Sequence, residues 1–167
     1  RVDNDLLFVQ QNKRTVRQLS YSLEADTFKA TSVSLFASHM GRNQFEQIVY
    51  AAEPFSIAWL RTAAGELKGL TYNRDENIIG WHKHDLAGGL IESIAVIPSG
   101  THDLLWAVVN RTVNSVTRRY IEKLMPFWDF GDVIDDMHYV DCGVRVTSVT
   151  NMTTIYNASH LEGKTVH

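Results

Sequence analysis

The chain has 167 residues, 44% of them apolar and 21% charged, with ten glycines and three prolines, which excludes collagen-like, low-complexity and disordered classes. Sixteen basic against nineteen acidic residues leave a formal charge of −3 with no run of five like charges, which argues against a protein held to DNA by phosphate neutralisation. A single cysteine, Cys142, excludes an internal disulfide scaffold and a cysteine-rich zinc site.

The first residues, Arg1-Val2-Asp3-Asn4-Asp5, lack the basic and apolar blocks of a signal peptide and an initiating Met, so a piece excised from a longer polypeptide is expected. Alternation of period two then dominates, the pattern of half-buried strands. Leu6-Leu7-Phe8-Val9, a polar stretch from Gln10 to Arg14, and Thr15 to Tyr21 predict a first hairpin. Val33 to Met40 predicts one or two helical turns ended by Gly41. Ser56 to Arg61, a turn at Ala63-Ala64-Gly65, and Glu66 to Tyr72 predict a second hairpin, with Gly65 suited to positive φ. Leu104 to Val109, a segment from Asn110 to Ser115 that holds the turn, and Val116 to Glu122 predict a third.

The hairpins align with one another. An offset of 51 places Phe8 on Trp59, Val16 on Leu67, Leu19 on Leu70 and Tyr21 on Tyr72 without a gap. An offset of 47 places Trp59 on Trp106, and 48 places Tyr72 on Tyr120, so one extra residue is expected in the third turn. The flanking run Phe45 to Val49 matches Ile91 to Ala95 at an offset of 46, and Ile78 to His82 is answered by Phe127-Trp128-Asp129-Phe130. Four short antiparallel strands recurring every ~40 to 50 residues are the signature of propeller blades. Two full units, approximately 44–86 and 90–130, and half a unit before them are expected, too few to close a ring. Trp59, Trp81, Trp106 and Trp128 are expected to fill the space between sheets. The predicted fold is all-β: a propeller-like, incomplete or open region over 1–130, then a linker and the start of a second small β domain over 131–167.

Few residues suggest chemistry. Asp129-Phe130-Gly131 spells the kinase metal-binding triplet, but no glycine-rich phosphate loop or catalytic Asp with its downstream Asn accompanies it. His82 and His84 share a strand face and could chelate a metal with Asp85 or another His; a polar blade edge is the simpler account. Asp129, Asp132, Asp135, Asp136 and Asp141 do not fit the calcium-loop spacing and read as a solvated linker. Lys13-Arg14 with Arg17, and Arg118-Arg119, read as solvated strand faces. Asn110-Arg111-Thr112, Asn151-Met152-Thr153 and Asn157-Ala158-Ser159 match the glycosylation pattern by chance. Glycoside hydrolysis needs a pair of carboxylates, and the sequence selects none. No catalytic, cofactor-binding or metal-binding residue is assigned, and no cofactor.

The wording of the repeat carries a resemblance. Val16 to Asp26, Gly69 to Arg74 running into Gly80-Trp81-His82-Lys83-His84-Asp85, Glu92 to Pro98, Arg118 to Glu122, and the closing Ser159 to Val166 resemble phage and prophage structural proteins, the hub or nozzle components of short-tailed phages. The resemblance implies a non-enzymatic tail subunit of the virion, assembled in the host cytoplasm. Its implied partners are other tail subunits and further copies in a ring around the genome channel. DNA would pass in transit without specific binding, and no membrane is involved. A near-neutral subunit suits a conduit that must release DNA. The alternative is a tail propeller that binds or hydrolyses glycans.

Overall fold

The computed structural model describes residues 2, 5–127, 131, 133, 140–143, 151, 154, 156, 158–161 and 163. The chain forms three antiparallel sheets, each a meander of sequential strands. The first contains β1 (Leu6–Val9), β2 (Val16–Ser22) and β3 (Thr27–Ser32). A 3₁₀ segment over Leu35–Gly41 follows, at the place where helical turns are predicted. The second contains β4 (Phe45–Ala51), β5 (Ile57–Thr62), β6 (Leu67–Asn73) and β7 (Ile78–His84). The third contains β8 (Leu90–Ser99), β9 (His102–Val113) and β10 (Val116–Lys123). The sheets are open, and none closes on itself. Trp128 and Phe130, and most of 131–167, lie outside the described residues, so the second predicted domain does too.

Two apolar cores join the sheets. One gathers Leu7 and Val16 of the first sheet with Phe45, Leu60, Leu70 and Tyr72 of the second. The other gathers Ile57, Trp59 and Leu67 of the second with Ile91, Leu105 and Val109 of the third. Adjacent residues of β5 and β6 therefore enter different cores, because side chains of a strand alternate between faces. The central sheet consequently has apolar residues in both phases, and Ile57 to Leu60 are all buried.

Of the tryptophans expected between sheets, Trp59 lies there, 2% exposed. Trp81 is half-buried, stacked on Phe45 with ring centroids 5.8 Å apart, and its indole N–H donates to the Val33 carbonyl at 2.9 Å. Trp106 is half-buried on β9 and belongs to neither core.

The repeat is real, with corrections to its register. Both β4 and β8 carry a bulge, between Phe45 and Gln47 and between Ile91 and Ser93, at matching positions. Trp59 pairs with Val49 and Trp106 with Ala95, as the offsets of 47 and 46 require. Phe8, however, does not correspond to Trp59. In the first hairpin Leu6 pairs with Leu19 and Phe8 with Arg17, whereas in the second Ala58 pairs with Leu70 and Leu60 with Lys68. Phe8 thus matches Leu60, and Leu7 matches Trp59, because the first turn holds one residue more. A one-residue slip exchanges the two faces, so a gapless alignment put Phe8 on the wrong side.

Tyr72 does not match Tyr120 either. The partner of Trp59 lies ten residues on, at Gly69, and that of Trp106 seventeen on, at Lys123. The third hairpin is therefore seven residues longer between paired positions, rather than one. Its strands run to a two-residue turn at Asn114-Ser115, both at positive φ, as a type I′ hairpin turn requires. The unit preceding residue 44 is three strands of four, more than the half expected.

Polar groups at the sheet seams are paired across them. Lys13 in the first turn and Gly65 in the second both have positive φ. The Lys13 carbonyl accepts the Phe45 N–H at 2.6 Å, and the Gly65 carbonyl accepts the Ile91 N–H at 2.9 Å. Each turn thus hydrogen-bonds to the strand that opens the next sheet. At the bulge of β4, the Gln47 amide donates to the Ile94 carbonyl at 2.6 Å and accepts its N–H at 3.0 Å, imitating a strand backbone.

Asp5, 2% exposed, bridges the first two sheets. Its carboxylate accepts from the Gln18 amide at 2.8 Å, the Tyr72 hydroxyl at 2.9 Å and Arg74 at 2.7 Å. Removing a buried carboxylate leaves its donors without an acceptor. Asp5→Ala is expected to lower the unfolding free energy by about 3 kcal/mol in urea titrations. Arg74→Ala, at a side chain 50% exposed, is expected to cost below about 1 kcal/mol.

Candidate functional site

The densest cluster of titratable groups sits at one end of the seam between the second and third sheets. His82 and His84 occupy alternate positions of β7 and face the side on which Trp59 lies. Their rings contact the Trp59 indole, with centroids 5.6 and 5.1 Å away. Opposite His82 on β6 stands Gly69. A Cβ there would lie 2.0 Å from the imidazole, so only glycine leaves room for the ring.

The histidines form a chain of hydrogen bonds. His84 Nδ1 meets the Asp141 carboxylate, so this nitrogen carries the proton. His84 Nε2 then accepts from His82 Nδ1 at 2.8 Å, and His82 Nε2 accepts from the Thr71 hydroxyl at 3.4 Å. Both imidazoles are satisfied in the neutral state. Asp141 also accepts the Asp85 backbone N–H at 2.9 Å. Burial first, and His84 second, push the His82 pKa below its ordinary value, with Asp141 opposing.

Beside this relay, Arg111 of β9 is buried and held by a two-pronged bond to Glu122 of β10, at 2.5 and 2.8 Å. Its third nitrogen, Nη1, donates to the Leu86 carbonyl at 2.5 Å, and Nη2 also approaches the Cys142 sulfur at 3.6 Å. Glu122 raises the Arg111 pKa and keeps the guanidinium charged. Burial pushes the Cys142 thiol pKa up, although Arg111 pulls it down. A thiol raised in this way is a poor nucleophile at neutral pH. Among the described residues its polar contact is a guanidinium, not an imidazole. An open cavity of about 810 Å³ lies against these groups, lined also by Tyr120 and Phe127.

His82 and His84 share a face, as expected, but the acid that joins them is Asp141 and not Asp85. The Asp85 carboxylate instead accepts the N–H of Ala87 at 2.9 Å. Asp129, Asp132, Asp135 and Asp136 lie outside the described residues, as does the Asp129-Phe130 part of the kinase-like triplet. Among the described residues no group of three or more His, Cys, Asp or Glu is arranged to hold a metal ion. Of the basic residues singled out, three are engaged: Lys13 with Glu46 at 2.9 Å, Arg119 with Glu92 at 2.6 Å, and Arg17 with Gln10 at 3.0 Å. Asn110 lies within β9, its amide donating to Glu92 at 3.1 Å. The Arg111–Glu122 fork has a weak sequence signal, opposite charges on the two strands of one hairpin. Asp141 has none, being 57 residues from His84.

No protein-family model matches the sequence, and no curated protein matches it. No helix among the described residues is long and apolar enough to cross a membrane.

Two outcomes follow from this geometry. Because the folded state holds His82 below its unfolded pKa, its contribution to stability is fully present above pH ~6.5 and is lost as the pH falls below that value. The thermal midpoint is expected to drop between pH 7 and pH 5, and His82→Gln to flatten that part of the profile. Gly69→Ala, by overpacking the ring, is expected to cost about 1–3 kcal/mol in chemical denaturation.

Proposed function

We propose that the chain is a non-catalytic stack of β-blades from the hub or nozzle of a phage tail, part of the conduit for genome ejection. The observation that carries a structural role is the recurrence of one antiparallel hairpin three times, the first two turns each hydrogen-bonded to the strand that opens the next sheet. Successive sheets spend Trp59, Phe45 and Tyr72 on packing. Stacking of this kind is how propeller blades bury their faces. The tail assignment adds the resemblance carried by the repeat and by Ser159 to Val166. The formal charge of −3 favours a channel that passes DNA over a surface that retains it.

One observation favours a glycan-active reading: the cavity by His84 holds two carboxylates, Glu122 and Asp141, with Tyr120 and Phe127 nearby. Glycoside hydrolysis needs one carboxyl group protonated as general acid. Here Glu122 is taken up by the two-pronged bond from Arg111, and Asp141 by His84 and the Asp85 backbone N–H, so both carboxylates are already engaged within the protein. The structural role is therefore preferred.

Electron microscopy of the full-length protein tests this. A ring with an open axial channel is expected. A stable monomer that cleaves polysaccharide, with activity lost in Glu122→Gln or Asp141→Asn, would overturn the proposal. So would a monomer that instead captures a cellular protein partner.

A further inference from the structure

The two outer faces of the stack are unlike each other, and the repeat says what each matches. On the first sheet Leu6, Phe8, Leu19, Tyr21 and Phe28 share the face turned away from the second sheet, alternate to the buried Leu7 and Val16. None of the five belongs to either core, and Phe28 is 67% exposed. Tyr21 and Phe28 meet edge to face, with centroids 5.3 Å apart.

By register, the counterparts of Leu6, Phe8, Leu19 and Tyr21 in the second sheet are Ala58, Leu60, Leu70 and Tyr72. Those four are buried beneath the first sheet. The same comparison applies at the other end. Ala95, Ile97, Leu104 and Trp106 of the third sheet match Val49, Ala51, Ile57 and Trp59, which pack against the third sheet. Val108 and Ile121 pair on that same outer face, and Ile121 is 76% exposed.

Each chain thus carries, at one end, the face that a third-type surface covers and, at the other, the face that a first-type surface covers. Both contacts already exist inside the molecule. We propose that the outer face of the first sheet docks the outer face of the third sheet of a second copy of this chain, continuing the stack head to tail. The contact is heterologous, so the pair retains one free face of each kind and a third copy can add. It rests on the repeat alone and is independent of the tail assignment.

Sedimentation velocity of the 167-residue chain over a concentration series tests it. The wild type is expected to form species larger than a dimer. Phe28→Glu disables the first-sheet face and Ile121→Glu the third-sheet face, each weakening association at least about tenfold. Both residues are exposed, so each variant is expected to keep the wild-type circular dichroism spectrum; Leu6→Glu serves as a second first-sheet variant.

The decisive arm mixes the two kinds. One intact first-sheet face and one intact third-sheet face remain, so the mixture is expected to form dimers and nothing larger. A monomeric wild type would overturn the proposal. Self-association of Ile121→Glu at wild-type strength would overturn it too, because that requires like faces to pair. A mixture no more associated than either variant alone would do the same.

Discussion

The central sheet has almost no solvent face, and the rest of the structure follows from that constraint. Ile57 to Leu60 are buried in succession, so β5 must be covered from both sides at once. Burying one large aliphatic or aromatic side chain contributes roughly 1.5–3 kcal/mol, and β5 and β6 supply such side chains to both cores. Neither outer sheet can leave without exposing one phase of these strands. Burial on both sides also forces the backbone and polar groups at the seams to find partners in protein. Asp5, Gln47, the turn carbonyls of Lys13 and Gly65, and Arg111 are where they find them. These polar residues and the apolar cores are two sides of one solution: the cores set the layers, and the seam bonds fix how the layers register.

How much of this was readable in the sequence depended on the length scale. All three hairpins, the flanking strands at Phe45 to Val49, Ile78 to His82 and Ile91 to Ala95, and the 3₁₀ segment were legible, because alternation and turn residues are local signals. The correspondence of Phe45 with Ile91 was legible as well, and the matching bulges show why: both strands begin on the same irregularity. What failed was register. Placing Phe8 on Trp59 matched aromatic with aromatic, but a turn longer by one residue, Gln10 to Thr15, had already exchanged the faces. The third turn misled for a different reason: Asn110 to Val113 looked polar enough to be loop, yet they continue β9 up to the Asn114-Ser115 turn.

The candidate site was half legible. A spacing of two on a strand was enough to put His82 and His84 on one face. That Asp141 completes the relay depends on where a distant segment returns, and no periodicity encodes that. The need for Gly69 was similarly hidden, since it arises from a ring on the neighbouring strand. The cluster that results is internally satisfied: every imidazole nitrogen has a partner, Arg111 has its carboxylate, and Cys142 is held back from ionising. Such an arrangement closes the seam between two sheets and supports the structural role proposed for the stack.

Amide hydrogen exchange tests the layered account most directly. If the central sheet is held from both sides, the amides of Ala58 to Leu60 and of Lys68 to Leu70 exchange only through global unfolding and are the slowest in the chain, ahead of those in β2 and β9. Exchange from these segments as fast as from the first or third sheet would contradict it, because the central sheet could then open without the whole stack coming apart.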